Sequence, residues 1–304
     1  MLGTVILSGI ATGLLYSLVG IGLVIIYRTS RVLNFAQGDL VTVTAYGAFT
    51  LLVTAQIAYP VAFVLTLALG AVVGAAFYYL VAKPLSRRQG GWLRVRGIHE
   101  ERATINVLIG TIAASMILEG AEPYIWGHTV VTFDAPFSSG AMRFLGMVVS
   151  YNNLAIIVIS VVTMLALILF FRLTSLGKTM EATFDNPIGA ELVGVRIERV
   201  YVAAWVISGL LSALAALLAT PVTYLTNTSL VVFIFSAFAA IVLGGFTSFT
   251  GAIVGGLLFG VVKNLVTLYL SARLEQVFIF AMIMVILFIR PSGLFGRDTG
   301  VKRV

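Results

Sequence analysis

The chain has 304 residues, 60% of them hydrophobic and 10% charged, with a net charge of +7 and a mean hydropathy of +1.08. Ordinary soluble domains are about 25% charged, so this composition excludes a soluble globular protein and reads as a polytopic membrane protein. The lack of cysteine excludes disulfides, thiolate metal sites and cysteine nucleophiles. The basic excess sits in short loops between apolar runs, which is the positive-inside pattern and not a nucleic-acid surface.

Residues 4–27 form the first apolar run, long enough to cross a bilayer at about 20 residues. No basic stretch precedes it, so it reads as a span and not as a cleavable signal. Gly9, Gly13, Ser17 and Gly20 recur at three- and four-residue steps, a small-residue stripe suited to close helix packing. Arg28 and Arg31 then mark a cytoplasmic edge, which puts the N-terminus outside.

Next comes RVLNFAQGDLVTVTAYGAF, where Asn34, Gln37, Gly38 and Asp39 sit between apolar blocks with no room for a long loop. Asn34, Gly38, Thr42 and Ala45 fall on one helical face. Polar side chains at membrane depth face a cavity or another helix, because lipid leaves them unsatisfied. One reading is a broken or re-entrant helix start lining a translocation path, with Asn34, Gln37, Gly38, Asp39 and Thr42 as its residues. The other is a tight cytoplasmic turn followed by a second span at 40–53.

A third span at 60–81 ends in KPLSRRQGGWLRVRGIHEERA, which holds Lys83, Arg87, Arg88, Arg94, Arg96 and Arg102 against Glu100 and Glu101. This is the strongest cytoplasmic marker in the chain, and it could meet anionic membrane lipid. A fourth span at 104–126 carries Glu119 and Glu122 near its end, read as interfacial carboxylates or as an attractor for a substrate ammonium. The loop that follows is poor in Lys and Arg and is placed outside. His128 there has no partner at ligand spacing, so no metal site is expected.

A fifth span at 147–171 leads into a polar island at about 172–199, the cytoplasmic coupling segment of this reading. Its charges balance, with Arg172, Lys178, Arg196 and Arg199 against Glu181, Asp185, Glu191 and Glu198. Asp185 or Asn186 can cap a helix, Pro187 suits its first position, and Gly194 suits the residue just past its end. Residues 187–193 would make a rod of about 10 Å. Such a rod pinned between two spans reads as a lever for another protein, with Glu181, Asp185, Asn186, Pro187, Ala190, Glu191 and Gly194 as its residues.

A sixth span at 200–218, a short outer turn and a seventh span at 230–244 follow. The uncharged connection GGFTSFTGAIVGG carries two small-xxx-small pairs, Gly251 with Gly255 and Gly256 with Gly260, read as tight packing with a hinge or re-entrant turn at 244–251 as the alternative. Lys263 and Asn264 interrupt the eighth span, where Lys263 can snorkel to an interface. A ninth span at 275–289 precedes a tail whose Arg290, Arg297, Lys302 and Arg303 place it inside. The expectation is an all-α polytopic transmembrane bundle of about nine crossings, in a range of about eight to ten, forming a single domain over residues 1–304.

Several blocks together resemble the branched-chain amino-acid ABC transporter permease family. NFAQGDLVTVTAYGAF is similar to a segment near the start of those permeases, and KPLSRR to their basic Pro-Leu block. GKTMEATFDNPIGAELVGV is similar to their coupling segment, and GGFTSFTGAIVGGLLFG with RPSGLFGR to their C-terminal signature pair. The match runs through nearly the whole chain in order, and its length resembles the H-type (LivH-like) subunit more than the M-type. Gln37 stands where the family commonly has histidine, so no proton-linked role carries over, and 89–102 looks like an insertion.

The resemblance implies the fold of an ABC-importer permease in a bacterial cytoplasmic (inner) membrane. It also implies a second permease subunit of the M-type, giving a heterodimer, two cytoplasmic ATP-binding subunits that carry ATP and Mg, and an extracytoplasmic solute-binding protein. The chain itself has no GxxxxGK[ST] phosphate cradle, no nucleophile–base set and no metal-ligand cluster, so it is expected to bind no cofactor and to be no enzyme. Branched-chain or related aliphatic amino acids lead as cargo, with urea, short amides and aromatic acids as alternatives. A secondary transporter or channel would need mid-span charges, for which Asp39 and Lys263 are the candidates. A membrane-embedded enzyme lacks paired carboxylates or histidines within the spans.

Overall fold

The structure is a computed structural model that describes residues 2–87, 98–127, 130, 132–136, 140–144, 147–223, 229–271, 274–290 and 292–296. The first apolar run is one helix, α1 (Leu2–Ser30), apolar on every side and surrounded by other helices. Of its most apolar window 89% is buried, so α1 is the central post of the bundle. It ends at Arg31, whose φ of 57° turns the chain in the left-handed manner common past helix ends. The chain continues in α2 (Gln37–Phe49), extended by a π-helical turn (Thr50–Thr54), and then in α3 (Tyr59–Phe77). Pro60 lies in the first turn of α3, where its missing N–H costs nothing. A second π-helical turn (Tyr78–Ala82) and the short α4 (Lys83–Arg87) prolong α3.

Next is α5 (Ile98–Trp126), which tolerates Pro123 one turn from its end. A two-stranded antiparallel hairpin follows, β1 (Ala141–Phe144) with β2 (Met147–Ser150). The fifth apolar run was expected to be helical from residue 147, yet 147–150 pair with β1. Ser150 is the reason: it is extended, and its hydroxyl accepts from the Asn153 N–H at 3.2 Å, which starts α6 (Tyr151–Leu173) one residue later. Two short helices follow, α7 (Ser175–Asp185) and α8 (Pro187–Leu192), and then α9 (Ile197–Ala219). The chain closes with α10 (Ser229–Gly244), α11 (Phe249–Tyr269) and α12 (Glu275–Ile289). The bundle therefore has a hairpin end and an opposite end that carries α7 and α8.

Each of the nine apolar runs forms a helix, the fifth only from Tyr151. Among the described residues six stretches are long and apolar enough to cross a membrane: α1, 59–86, 104–126, α6, α9 and α11. The remaining three runs form the shorter α2, α10 and α12. Their burial sorts them by position. The apolar window of α9 is 72% buried, whereas those of α5 and α6 are 11% and 22% buried, so these two lie on the flanks.

Backbone contact at glycines holds the centre together. Gly9 and Gly13 of α1 meet Gly260 and Gly256 of α11, and a Cβ at Gly13 would lie 2.5 Å from the Gly256 carbonyl oxygen. The Ser17 hydroxyl bridges to the Ile253 carbonyl oxygen at 3.2 Å across the same seam. The other stripe of α11 faces α10: Gly251 lies on Gly244, and Gly255 on Ala240. This register makes α10 and α11 antiparallel neighbours. Their connection is a tight turn begun by Gly245 at φ +105° and ended by Ser248, which caps α11 by accepting from the Gly251 N–H at 3.0 Å. The tail covers this turn, with the Leu294 N–H donating to the Leu243 carbonyl at 2.8 Å and the Phe295 N–H to the Gly244 carbonyl at 2.9 Å. The two blocks read as a C-terminal signature pair are thus in contact. A second glycine seam, Gly70 against Gly209, joins α3 to α9.

Candidate coupling segment and translocation cavity

The polar island holds two helices rather than one. Thr174 starts α7 by accepting from the Gly177 N–H at 2.9 Å. Gly177 lies so close to the end of α6 that a Cβ there would be 2.4 Å from the Phe170 carbonyl oxygen. Gly177, Met180, Thr183 and Phe184 form the buried face of α7, while Lys178, Glu181 and Asp185 are exposed. Asp185 ends α7 and does not cap α8. That role falls to Asn186, which is extended and whose Oδ1 accepts from the Gly189 N–H at 3.0 Å.

Pro187 occupies the first turn of α8, which closes at Leu192, one residue short of the expected rod. Gly194 follows at φ +89°; its N–H donates to the Glu191 carbonyl at 2.9 Å, and Val195 N–H donates back to the Ala190 carbonyl at 3.0 Å. Ala190 is the buried side of α8. The opposite side presents Glu191 together with Leu192 and Val193, which are 83% and 81% exposed. The charge balance of the segment extends beyond it to the basic block after α3. Glu198, in the first turn of α9, pairs with Lys83 at the start of α4.

The second feature is a cavity of about 380 Å³ bounded by α1, the 33–35 turn, α2, α5 and α10. Of the residues expected on a pathway, Asn34, Gly38, Asp39 and Thr42 line it. From α5 come Ser115, whose hydroxyl donates to Asp39 Oδ2, and Glu119. Phe35 and Phe238 form part of its apolar wall.

Gln37 is the exception. Its Nε2 donates to Ser212 Oγ at 2.7 Å, while its Oε1 accepts from Ser208 Oγ at 3.0 Å and from Asn34 Nδ2 at 3.1 Å. It faces α9, fully buried, and is a clamp between helices and not a lining residue. The spacing of 37 beside 38 already places the two side chains about 100° apart on a helix. The serines carry the missed signal: Ser208 and Ser212 stand four apart in an apolar run, the pattern of a polar stripe facing a partner. Ser115 was missed too, though it stands four residues before Glu119 on the same face.

Two further expectations change. Lys263 does not snorkel: it is 8% exposed, pairs with Glu275 of α12 at 2.8 Å, and contacts the hydroxyls of Tyr16 and Ser236. Glu122 is packed inside the bundle at 2% exposure, and among the described residues its Oε1 has no hydrogen-bond partner, whereas Glu119 is exposed on the flank. His128, the 89–97 part of the insertion, and Arg297, Lys302 and Arg303 lie outside the described residues.

A multi-pass helical bundle with a capped helix pair at one end and a polar-cornered cavity on its flank has the parts of a membrane permease. The chain matches the family described as "Branched-chain amino acid transport system / permease component" over residues 5–287, and it belongs to that family. It is 30% identical over 298 residues to the probable branched-chain amino acid transport permease protein LivH of Methanocaldococcus jannaschii, covering 92% of this chain and 88% of the relative. It is 26% identical over 302 residues to the high-affinity branched-chain amino acid transport system permease protein LivH of Escherichia coli K12, covering 95% and 94%. Among solved structures it is similar to PsaBC from Streptococcus pneumoniae in complex with Fab, with a TM-score of 0.48 at 13% identity over 95% of this chain and 92% of that one.

Proposed function

We propose that this chain is a permease subunit of an ATP-driven importer in a bacterial inner membrane. With a second permease subunit it forms the pathway for branched-chain or related aliphatic amino acids delivered by an extracytoplasmic solute-binding protein. The observation that carries this reading is the exposed side of α8. Leu192 and Val193 stand almost fully exposed on a helix capped at both ends, beside the charges of the polar island. Apolar side chains held out rigidly in a polar setting suit a protein socket, and the ATP-binding subunits of such an importer would supply it. On this reading α7 and α8 face the cytoplasm, ATP and Mg belong to the partners, and α8 moves as a rigid body when the ATPases close.

The flank supports a second permease subunit. Glu119 is exposed on α5, whose apolar window is 11% buried, and a carboxylate there is costly against lipid. A partner permease that covers this flank would turn the cavity of Asn34, Gly38, Asp39 and Thr42 into an enclosed path. The names of the relatives support amino acids as cargo.

The experiment is purification from native membranes in mild detergent, mass spectrometry of what co-purifies, and reconstitution with radiolabelled leucine. Two ATPases and a second permease in stoichiometric amounts, with leucine uptake that needs ATP, is the expected result. A chain that purifies alone and moves solute without ATP overturns the reading. Competition by urea, short amides and phenylalanine tests the cargo separately.

A further inference from the structure

We infer that Arg28 is the positioning residue through which movement of α7 and α8 reaches the wall of the cavity, a step that rests on the ATP-driven reading above. Its guanidinium carbon lies 4.7 Å from the ring centroid of Phe184 and 4.7 Å from that of Phe249. Phe184 is in the last turn of α7, two residues before the Asn186 cap of α8, and is 5% exposed. Phe249 is the first residue of α11. Phe171, in the last turn of α6, stacks on Phe249 at 4.9 Å and lies 6.3 Å from Phe184. One cation therefore joins the coupling segment to the central post α1 and to α11, at the point where α6 and α7 meet.

A planar guanidinium is attracted to ring faces and stacks on them, so it holds two aromatic rings in a fixed relation that an aliphatic side chain would let slide. From Arg28 the contacts continue toward the cavity. Tyr27 packs on Phe246 of the turn between α10 and α11 at 5.7 Å. Phe246 packs on Phe238 at 5.3 Å, and Phe238 on Phe35 at 6.4 Å. Phe238 and Phe35 are cavity-wall residues. The sequence marks Arg28 only as a topological charge, a role that any cation would fill and that Arg31 shares. The ring contacts assign it more.

Contiguity is not coupling, so the test measures coupling. The assembled importer, with this chain as wild type, Arg28→Met, Arg28→Lys or Phe184→Leu, is reconstituted with leucine-loaded binding protein. Leucine taken up and ATP hydrolysed are measured in the same vesicles. Arg28→Met is expected to assemble and hydrolyse ATP while leucine moved per ATP falls about tenfold, the scale of two lost cation–π contacts. Arg28→Lys is expected to fall between wild type and Arg28→Met, because an ammonium is attracted to ring faces but cannot stack on two of them as the planar guanidinium does. Phe184→Leu lowers the ratio alike, and the double variant falls no further than the worse single one, as for a shared contact.

An unchanged ratio in Arg28→Met overturns the inference. So does a loss in which uptake and hydrolysis fall together in proportion to assembled complex, since that is a structural role. Should Arg28→Met not assemble, Phe184→Leu decides: a lowered ratio supports the inference and an unchanged one overturns it. Wild-type complex that moves leucine without hydrolysing ATP removes the importer reading and this inference together. Wild-type coupling with unaffected variants removes Arg28 alone.

Discussion

Gln37 holds Ser208 and Ser212 at once, accepting from one at 3.0 Å and donating to the other at 2.7 Å, so the first residue of α2 is clamped to two successive turns of α9. Replacing it with leucine removes these bonds and leaves the Asn34 amide without its partner. At about 1 kcal/mol net for each of two or three buried bonds, Gln37→Leu is expected to cost about 2–3 kcal/mol. Thermal unfolding of the purified chain in detergent measures it. A variant as stable as wild type would mean that the clamp is dispensable.

The seam of α1 and α11 leaves no room for a side chain at its centre. Gly13→Leu would have to push backbone from backbone, because its Cβ alone would lie 2.5 Å from the Gly256 carbonyl oxygen. A cost of about 3 kcal/mol or more is expected, read as lost monodisperse protein on size exclusion. Gly120→Ala is the control: nothing lies within 4 Å of a Cβ there, and it should behave as wild type.

Gly194 stands at φ +89°, and its N–H closes α8 onto Glu191. Proline has neither that φ nor an N–H. Gly194→Pro should therefore unseat α8 and lower transport per ATP by about tenfold or more, at a stability cost of about 1 kcal/mol or more from the strained backbone and the lost bond. Glu191→Lys, on the exposed side of α8, should act in the same direction through the partner surface. Normal coupled uptake in both variants would remove α8 from the coupling role.

Lys263 and Glu275 are a half-enclosed ion pair, with side chains 10% and 24% exposed. Lys263→Met leaves the carboxylate facing apolar helices, and a cost of about 2 kcal/mol is expected, below that of a fully buried pair because Glu275 keeps some solvent. Adding Glu275→Gln should recover most of that loss. A double-mutant cycle on thermal midpoints checks both statements, and independent, additive losses would show that the pair does not act as one.

The parts legible in the sequence are those fixed by short-range chemistry. Apolar runs of bilayer length announce helices directly, and the Asn186, Pro187 and Gly194 spacing marks both ends of α8, because caps depend on backbone groups within a turn. What stayed hidden depends on distant partners. The whole of α7 is polar enough to pass for loop, and it is a helix on α6 because Gly177 lets the backbones touch. The direction in which Gln37 points is decided by serines far along the chain. Lys263 read as a snorkelling cation because Glu275 lies on another helix. Glu119 and Glu122, three residues apart, share the region but not the fate: one lines the cavity and the other is buried.

The tail that crosses the turn between α10 and α11 gives the protein an order of completion. The last carbonyls of a helix have no partner of their own, and those of Leu243 and Gly244 are satisfied by the N–H groups of Leu294 and Phe295. During synthesis these acceptors enter the membrane well before their donors exist. Until Leu294 and Phe295 have been made these two carbonyls have only water to turn to, and a chain cut short before them lacks the tail that closes this end of α10.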